Sequence, residues 1–413
     1  MNQPFPQRWL YRFAVLTALS TLALIGIGGL VTSHEAGMSV PDWPNSYGYN
    51  MFLFPPSKWI GGVLYEHTHR LWASTVGLLV VALLRWVGGS ASRRPLAIVG
   101  TLEMVAGIAI LALSSTNWKA TGGFLAGIGG IVLLAALVWV RNKPAKSPLP
   151  PLAWAAFALV QFQGLLGGLR VVLFKDQIGV FHAALAQIFF VLTCLIALYA
   201  SAWWQGREDA ERQRPGSAPR RTPILLLATT ALILLQLILG ATMRHQHAGL
   251  AIRDFPLAYG KWWPATDPAS VDMYNAHRIE ITNFNPITAF QIELQMVHRI
   301  LAVVILGAVA FCAWRAWRKF SGPVAKLAMF WLGLILCQAT LGAATIWSDK
   351  AADIATAHVL VGALSLATGT ALSIIALRFP QTVAGLASTE GVSAPESGHV
   401  GEVGSAGKVP VAR

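Results

Sequence analysis

Charge is scarce in this chain. Asp, Glu, Lys and Arg together make up 12% of its 413 residues, about half the fraction found in a soluble domain, which excludes an ordinary water-soluble enzyme. Acidic residues are the rarer sign, 18 against 31 Lys and Arg. Cysteine is nearly absent too. Cys194, Cys312 and Cys337 all fall inside apolar runs, so no disulfide can form in the segments between runs, and the three read as small apolar core residues.

What fills the sequence is apolar: 55% hydrophobic residues, arranged in runs of about 20, the length that crosses a bilayer core. These runs lie near 13 to 32, 68 to 89, 96 to 115, 121 to 140, 152 to 172, 179 to 202, 222 to 242, 296 to 314, 324 to 346 and 355 to 377. The pattern predicts an all-α polytopic membrane protein with about ten transmembrane helices. The first run follows Arg8 and Arg12 but is too long for a signal peptide and has no small-x-small cleavage site. With the N-terminus inside, 20 of the 31 basic residues fall on the inner side, including Arg85, Arg93, Arg94, Arg207, Arg315 and Arg318. The positive-inside rule therefore accounts for the basic balance, and no nucleic-acid partner is needed. Two outer loops are long, about 33 to 67 and 243 to 295. The segment after Pro380 lacks helical periodicity and reads as a disordered inner tail.

The chain repeats itself. Ala36-Gly37-Met38-Ser39-Val40-Pro41-Asp42-Trp43-Pro44-Asn45-Ser46-Tyr47-Gly48 matches Ala248-Gly249-Leu250-Ala251-Ile252-Arg253-Asp254-Phe255-Pro256-Leu257-Ala258-Tyr259-Gly260 at six of thirteen positions, with a constant offset of 212. His69-Arg70 follows the first loop and His298-Arg299 the second. A third block recurs, with Gln163-Gly164-Leu165-Leu166-Gly167 preceding His182 by 19 residues and Gln338-Ala339-Thr340-Leu341-Gly342 preceding His358 by 20. An even number of spans separates matching blocks, so the repeats are parallel. Each half is a four-helix unit, residues 1–215 and 216–380, with 381–413 as tail. The first half carries an extra helix pair, about 96 to 140, whose notable charges are Glu103 and Lys119 and whose expected role is packing.

Duplication puts His69, His182, His298 and His358 at equivalent positions near the outer ends of their helices. Polar residues inside a span are costly and mark functional sites. Helical bundles build cofactor sites from side chains on facing helices, and two imidazoles on either side of a haem iron suit such a site; zinc would need a third and fourth ligand that the spacing does not offer. Gly164, Gly167 and Gly168, with Gly342, Ala343 and Ala344 in the repeat, would admit a flat ring or close helix packing. Arg70 and Arg299 are candidates to pair with haem propionates or to anchor the interface. The halves differ at one telling position: Glu66 in the first, Gln295 in the second. Glu66 lies three residues before His69, on the same helical face, where it is either a general base or proton relay or an exposed carboxylate favoured by the helix dipole.

The loop ending in Pro41-Asp42-Trp43-Pro44, the Glu66-His67-Thr68-His69-Arg70 motif, the Gln163-Gly164-Leu165-Leu166-Gly167-Gly168-Leu169-Arg170 segment and His182 together resemble the haem A synthase family over about residues 10 to 380. The resemblance implies oxidation of a ring methyl of haem O to a formyl group, giving the haem A of cytochrome oxidases. It further implies substrate haem on His69 and His182, haem b on His298 and His358, and Glu66 as the functional glutamate. It places the chain in a bacterial-type cytoplasmic membrane with both termini cytoplasmic, and suggests haem O synthase and oxidase-assembly proteins as partners; the electron acceptor is not implied. The chain departs from many family members in its inserted helix pair and in lacking a cysteine pair in the first outer loop. His67 neighbours His69 and is an alternative ligand to it, although Glu66 and Arg70 around His69 match the family better, whereas His34, His245, His247 and His277 read as loop or surface residues. A diheme electron-transfer cytochrome explains four histidines equally but not the Glu66 to Gln295 difference; a parallel-repeat transporter explains the duplication but not the histidines.

Overall fold

The computed structural model describes residues 6–114, 116–138, 144–146, 148–213, 221–278, 285–319 and 323–379. The tail expected at 381–413, the boundary at 215/216 and the basic residues Arg141, Lys143, Arg214, Arg220, Lys408 and Arg413 lie outside the described residues. Among those described, nine apolar stretches are long enough to cross a membrane. One of them, Gly62–Leu113, is divided by the 3-10 turn Gly89–Ser92, so ten helices have spanning length. They are α1 (Pro6–Ser33), α2 (Gly62–Gly88), α3 (Arg93–Leu113), α4 (Thr116–Leu137), α5 (Leu149–Leu173), α6 (Asp176–Ala200), α8 (Arg221–His245), α10 (Ala289–Lys319), α11 (Pro323–Trp347) and α12 (Ala352–Arg378).

Two further helices do not span. α7 (Ala202–Gln213) turns off the end of α6, and its Trp204 packs edge-on against Tyr199 and Phe379. α9 (Pro268–Ala276) lies in the second long loop, where Asp267 caps it by accepting from the Ser270 amide at 3.1 Å and Pro268 opens it. α2 and α10 each start six or seven residues before their apolar runs, at Gly62 and Ala289. The polar residues of these early turns, Glu66 and His67 in one and Glu293 and Gln295 in the other, hide the helix from a hydropathy reading although Glu66, His67 and Gln295 are buried.

Helices α1, α2, α5 and α6 close one ring of neighbours, and α8, α10, α11 and α12 close a second in the same order. Between the rings, α1 packs on α12, α6 on α8, and α6 on α12. With α1 equivalent to α8 and α6 to α12, the first two contacts exchange under a two-fold rotation and the third lies on the axis. Parallel repeats give this arrangement when the axis runs along the helix bundle. Gly29 sits against Thr356 and Gly26 against Leu360 in this seam. Arg244 donates across it to the Gly29 carbonyl at 2.9 Å and to Ser33 Oγ at 2.6 Å.

The inserted pair α3 and α4 forms a hairpin in backbone contact. A Cβ on Gly107 would fall 2.3 Å from the Ala126 amide nitrogen, and one on Gly129 would fall 2.3 Å from that of Met104. Close approach through small residues replaces the hydrophobic driving force that lipid cannot supply. Arg85 corrects the sequence reading here: it is not a charge of the inner loops but is buried in α2. Its guanidinium donates to the carbonyls of Ala135 and Val138, at 3.1 and 2.8 Å, and to that of Gly89. These are orphan acceptors at helix C-termini, where a cation is favoured, and they tie the hairpin to the first ring. Gly107→Leu is expected to lower the melting temperature of the detergent-purified protein, by the equivalent of about 1–3 kcal/mol or more. Gly130→Ala, where a Cβ meets nothing within 4 Å, should leave it unchanged; equal melting temperatures for the two variants would contradict the packing described.

Candidate haem-binding site

Each long loop folds back onto the start of the helix that follows it, and one side chain there holds it. Glu66 accepts from the Val40 amide at 2.8 Å, and Gln295 accepts from the Ile252 amide at 2.7 Å. Val40 and Ile252 are equivalent under the 212-residue offset. Asp42 accepts from the amides of Tyr47 and Gly48, and Asp254 accepts from those of Tyr259 and Gly260. Both loops then close with an isolated bridge, Ser46 to Tyr49 and Ala258 to Lys261. Tyr47 and Tyr259 take positive φ values of 50° and 49°, and each hydroxyl donates to a loop carbonyl, of Ser39 and Ala251.

Arginine completes the clamp. The two η nitrogens of Arg70 carry four N–H donors, and four acceptors meet them: the carbonyls of Asp42 (2.7 Å), Asn45 (2.9 Å) and Val40 (2.8 Å), and Glu66 Oε1 (2.7 Å). Arg299 donates likewise to the carbonyls of Leu257 at 2.9 Å and Asp254 at 2.8 Å. The structure thus gives both arginines a loop-holding task at the cavity rim. Glu66 is neither exposed nor at a frayed helix start; it is 4% exposed, with each oxygen on a different partner.

His69, His182, His298 and His358 all stand within the first three turns of α2, α6, α10 and α12. In the first ring the imidazoles of His69 and His182 face each other with centroids 6.4 Å apart and planes inclined by 75°. Two imidazoles that each place a nitrogen about 2.0 Å from one metal ion have centroids roughly 6 Å apart, so the gap fits one ion between them. Each imidazole is backed by a glycine of a neighbouring helix. A Cβ on Gly28 would lie 3.0 Å from His69, on Gly240 3.3 Å from His298, on Gly167 3.7 Å from His182 and on Gly342 3.2 Å from His358. All four Nδ1 atoms are buried without a hydrogen-bond partner. Buried polar atoms are rarely left unpaired, and four at duplicated positions point to a ligand the protein does not itself supply.

One continuous cavity of about 1280 Å³ runs through both rings and is lined by all four histidines, more than the ~300–1,000 Å³ of a pocket for a single small molecule. Its walls are mostly aliphatic and aromatic. Among the described residues no cluster of three or more His, Cys, Asp or Glu could hold a metal ion alone. A paired-imidazole site completed by a macrocycle suits these residues better than a protein-only metal shell.

His67 points elsewhere. It is fully buried, shares a hydrogen bond with Ser46 Oγ at 3.1 Å and packs against Phe54 and Trp59, so it belongs to the loop core and not to the cavity. His34 stacks on Tyr65, and His247 and His277 are exposed. His245 differs from its expected loop position: it ends α8, lies against Gly179 and lines the cavity. Sequence reasoning passed over Gly28 and Gly240, although the 212-residue offset relates them. It also passed over Arg244, which lines the cavity between the rings. Neither did it place the inserted pair at the cavity, where Glu103 and one face of α4 form part of the wall.

Residues 122–370 match the COX15-CtaA family, described as cytochrome oxidase assembly protein. The chain belongs to this family. Its relatives include the haem A synthases of Rhodopseudomonas palustris strain HaA2, 25% identical over 369 residues covering 87% of this chain and 86% of the relative, and of strain BisB5, 26% identical over 361 residues covering 87% of each. The haem A synthase of Rhizorhabdus wittichii is 26% identical over 375 residues, covering 87% of this chain and 91% of the relative. The family match begins inside α4, so Glu66 and His69 precede it. The relatives' alignments, at 87% of the chain, reach further.

The clamp makes a prediction within the family fold. Glu66→Ala removes the acceptor for the Val40 amide and leaves the Arg70 charge, only 9% exposed, without a counter-ion, a loss of about 3–5 kcal/mol for a buried pair. Glu66→Gln also removes the counter-ion but keeps an acceptor for the Val40 amide, as Gln295 does for Ile252, and should cost less. Melting temperatures in detergent are expected in the order wild type, Glu66→Gln, Glu66→Ala; an unchanged value for Glu66→Ala would contradict the clamp.

Proposed function

We propose that this chain is a haem A synthase, which oxidises a ring methyl of haem O to a formyl group and so supplies haem A to cytochrome oxidase. The observation that carries the reading is the paired-imidazole site in each of two equivalent rings, open to one cavity, with a carboxylate at the clamp position in the first ring alone. The names of the relatives and the family's description support it. In this reading His69 and His182 hold haem O as substrate, and His298 and His358 hold haem b. Haem b supplies one-electron transfer when bound.

The protein's own residues have separable tasks. The glycines behind the four imidazoles set how far each ring reaches into the cavity. The apolar walls exclude bulk water, which strengthens electrostatic interactions inside. Glu66 accepts a proton at a carboxylate oxygen near the reacting edge of the substrate, and Arg70 fixes the orientation of that carboxylate through Oε1. Gln295 makes the same bond to the loop amide without the capacity to take a proton, a difference that supports chemistry in the first ring and electron transfer in the second. Arg70 has all four η N–H donors committed to the loop and Glu66, whereas Arg299 keeps a buried Nε–H without a partner at the cavity, so Arg299 is the better placed of the two to meet a haem propionate. In this reading the chain sits in a bacterial-type cytoplasmic membrane with both termini inside, an orientation that the basic residues at the ends opposite the long loops support, and haem O synthase and oxidase-assembly proteins are the proposed partners.

The near-identical backing of all four imidazoles favours one second reading, a diheme b-type cytochrome that only carries electrons. Variants made in cells that produce haem O distinguish the two. Glu66→Gln is expected to retain both haems while haem A yield falls by about 10²–10⁴-fold, the usual contribution of a proton-transfer group. His298→Ala should lose haem b, and His69→Ala should lose the isoprenoid haem while keeping haem b. Extraction and chromatography of bound haems checks each, and full haem A yield from Glu66→Gln would remove Glu66 from the chemistry.

A further inference from the structure

Two carboxylates line the cavity among the described residues, Glu66 and Glu103. Each oxygen of Glu66 already has a clamp partner. Glu103, on α3 of the inserted hairpin, accepts from Gln161 Nε2 of α5 at 2.7 Å through Oε1, while its Oε2 is buried and has no partner. No described cation pairs with it. An ionisable residue placed in a span, at a cavity wall, is a functional site by default because its burial is costly, and the clamp chemistry does not use it.

The wall around it has a definite character. Phe124, Ile128, Ile131 and Val132 of the hairpin line the same cavity, and Trp43 of the first loop packs edge-on against Phe124 at 5.5 Å. The hairpin is held rigidly by its glycine contacts and by Arg85. The result is an apolar strip with one hydrogen-bonding pair, Glu103 and Gln161, set into it. The second ring has no inserted hairpin and no acidic residue on its part of the cavity, so this strip belongs to the first ring alone.

We propose that Glu103, positioned by Gln161, forms a subsite that accepts a hydrogen bond from the hydroxyl of an isoprenoid-bearing haem, with the chain lying along α4. This rests on the reading of the first ring as the substrate chamber and deepens it: the hydroxylated isoprenoid chain is what distinguishes haem O from protohaem, and the subsite explains why the two rings take different haems. A site built to bond a hydroxyl discriminates strongly against the analogue that lacks it, because its buried polar group is then left unpaired.

The test uses full-length protein purified in detergent from cells that make both haem b and haem O, with bound haems extracted and quantified per chain. Glu103→Ala is expected to lower isoprenoid haem at least tenfold relative to wild type while haem b is retained or rises as protohaem enters the first ring. Glu103→Gln keeps an acceptor oxygen and should stay within about threefold of wild type. Isoprenoid haem in Glu103→Ala within twofold of wild type overturns the subsite, as does equal loss in Glu103→Gln and Glu103→Ala. Where Glu103→Ala loses haem b as well and so reports unfolding, Glu103→Met, which preserves volume and packing, decides by the same criteria. Wild-type protein free of isoprenoid haem overturns the proposed function and the subsite together, whereas a loaded wild type with an equally loaded variant overturns the subsite alone.

Discussion

The hydrogen bonds from Arg70 and Arg299 to the carbonyls of the two long loops are the interaction on which the rest of the site depends. A loop that folds over the end of a membrane bundle carries backbone acceptors that neither lipid nor a helix can satisfy. A guanidinium, with donors in a fixed planar fork, meets several at once: Asp42, Asn45 and Val40 in the first loop, Asp254 and Leu257 in the second. Because each arginine directly follows a cavity histidine, seating the loop also sets the rotation of the helix that aims the imidazole. The lid and the ligand site are therefore one construction.

Two-fold repetition of that construction gives equivalence, and the departures from it give direction. Glu66 and Gln295 make the same bond to the loop amide, yet only the first carries a charge and a proton-accepting group. The inserted hairpin is the second departure. Among the described residues its bonds run to α2 and α5 of the first ring, it brings Glu103 to the cavity, and the second ring is a plain four-helix unit. Both asymmetries fall on the side proposed for substrate, and Arg244 spans the seam between the sides.

The ten spans and the duplicated order of blocks were legible in the sequence because lipid imposes long apolar runs and because the loop motif kept six of thirteen residues at a fixed offset. The four histidines followed from the order of the repeated blocks around them, not from the loop offset itself. What hydropathy could not give was the true start of α2 and α10, since Glu66 and Gln295 are polar side chains buried by a loop, not by the helix's own surroundings. Arg85 was misplaced for the same reason: a charge near a span end reads as a loop residue unless its carbonyl partners on a distant helix are known. His67 and His69 differ by two residues and point to opposite environments, a distinction of helical phase that sequence proximity conceals. Gly28 and Gly240 were readable in principle from the 212-residue offset, but glycine in a span carries no chemistry to draw attention until the imidazole against it is seen.

The proposed function requires two equivalent imidazole-pair sites to hold two different haems. Mass spectrometry of the haems extracted from wild-type protein, produced in cells that make haem O, tests it most directly. The account predicts haem b together with haem O or haem A, near one of each class per chain; haem b alone, near two per chain, would contradict it and leave an electron-transfer cytochrome.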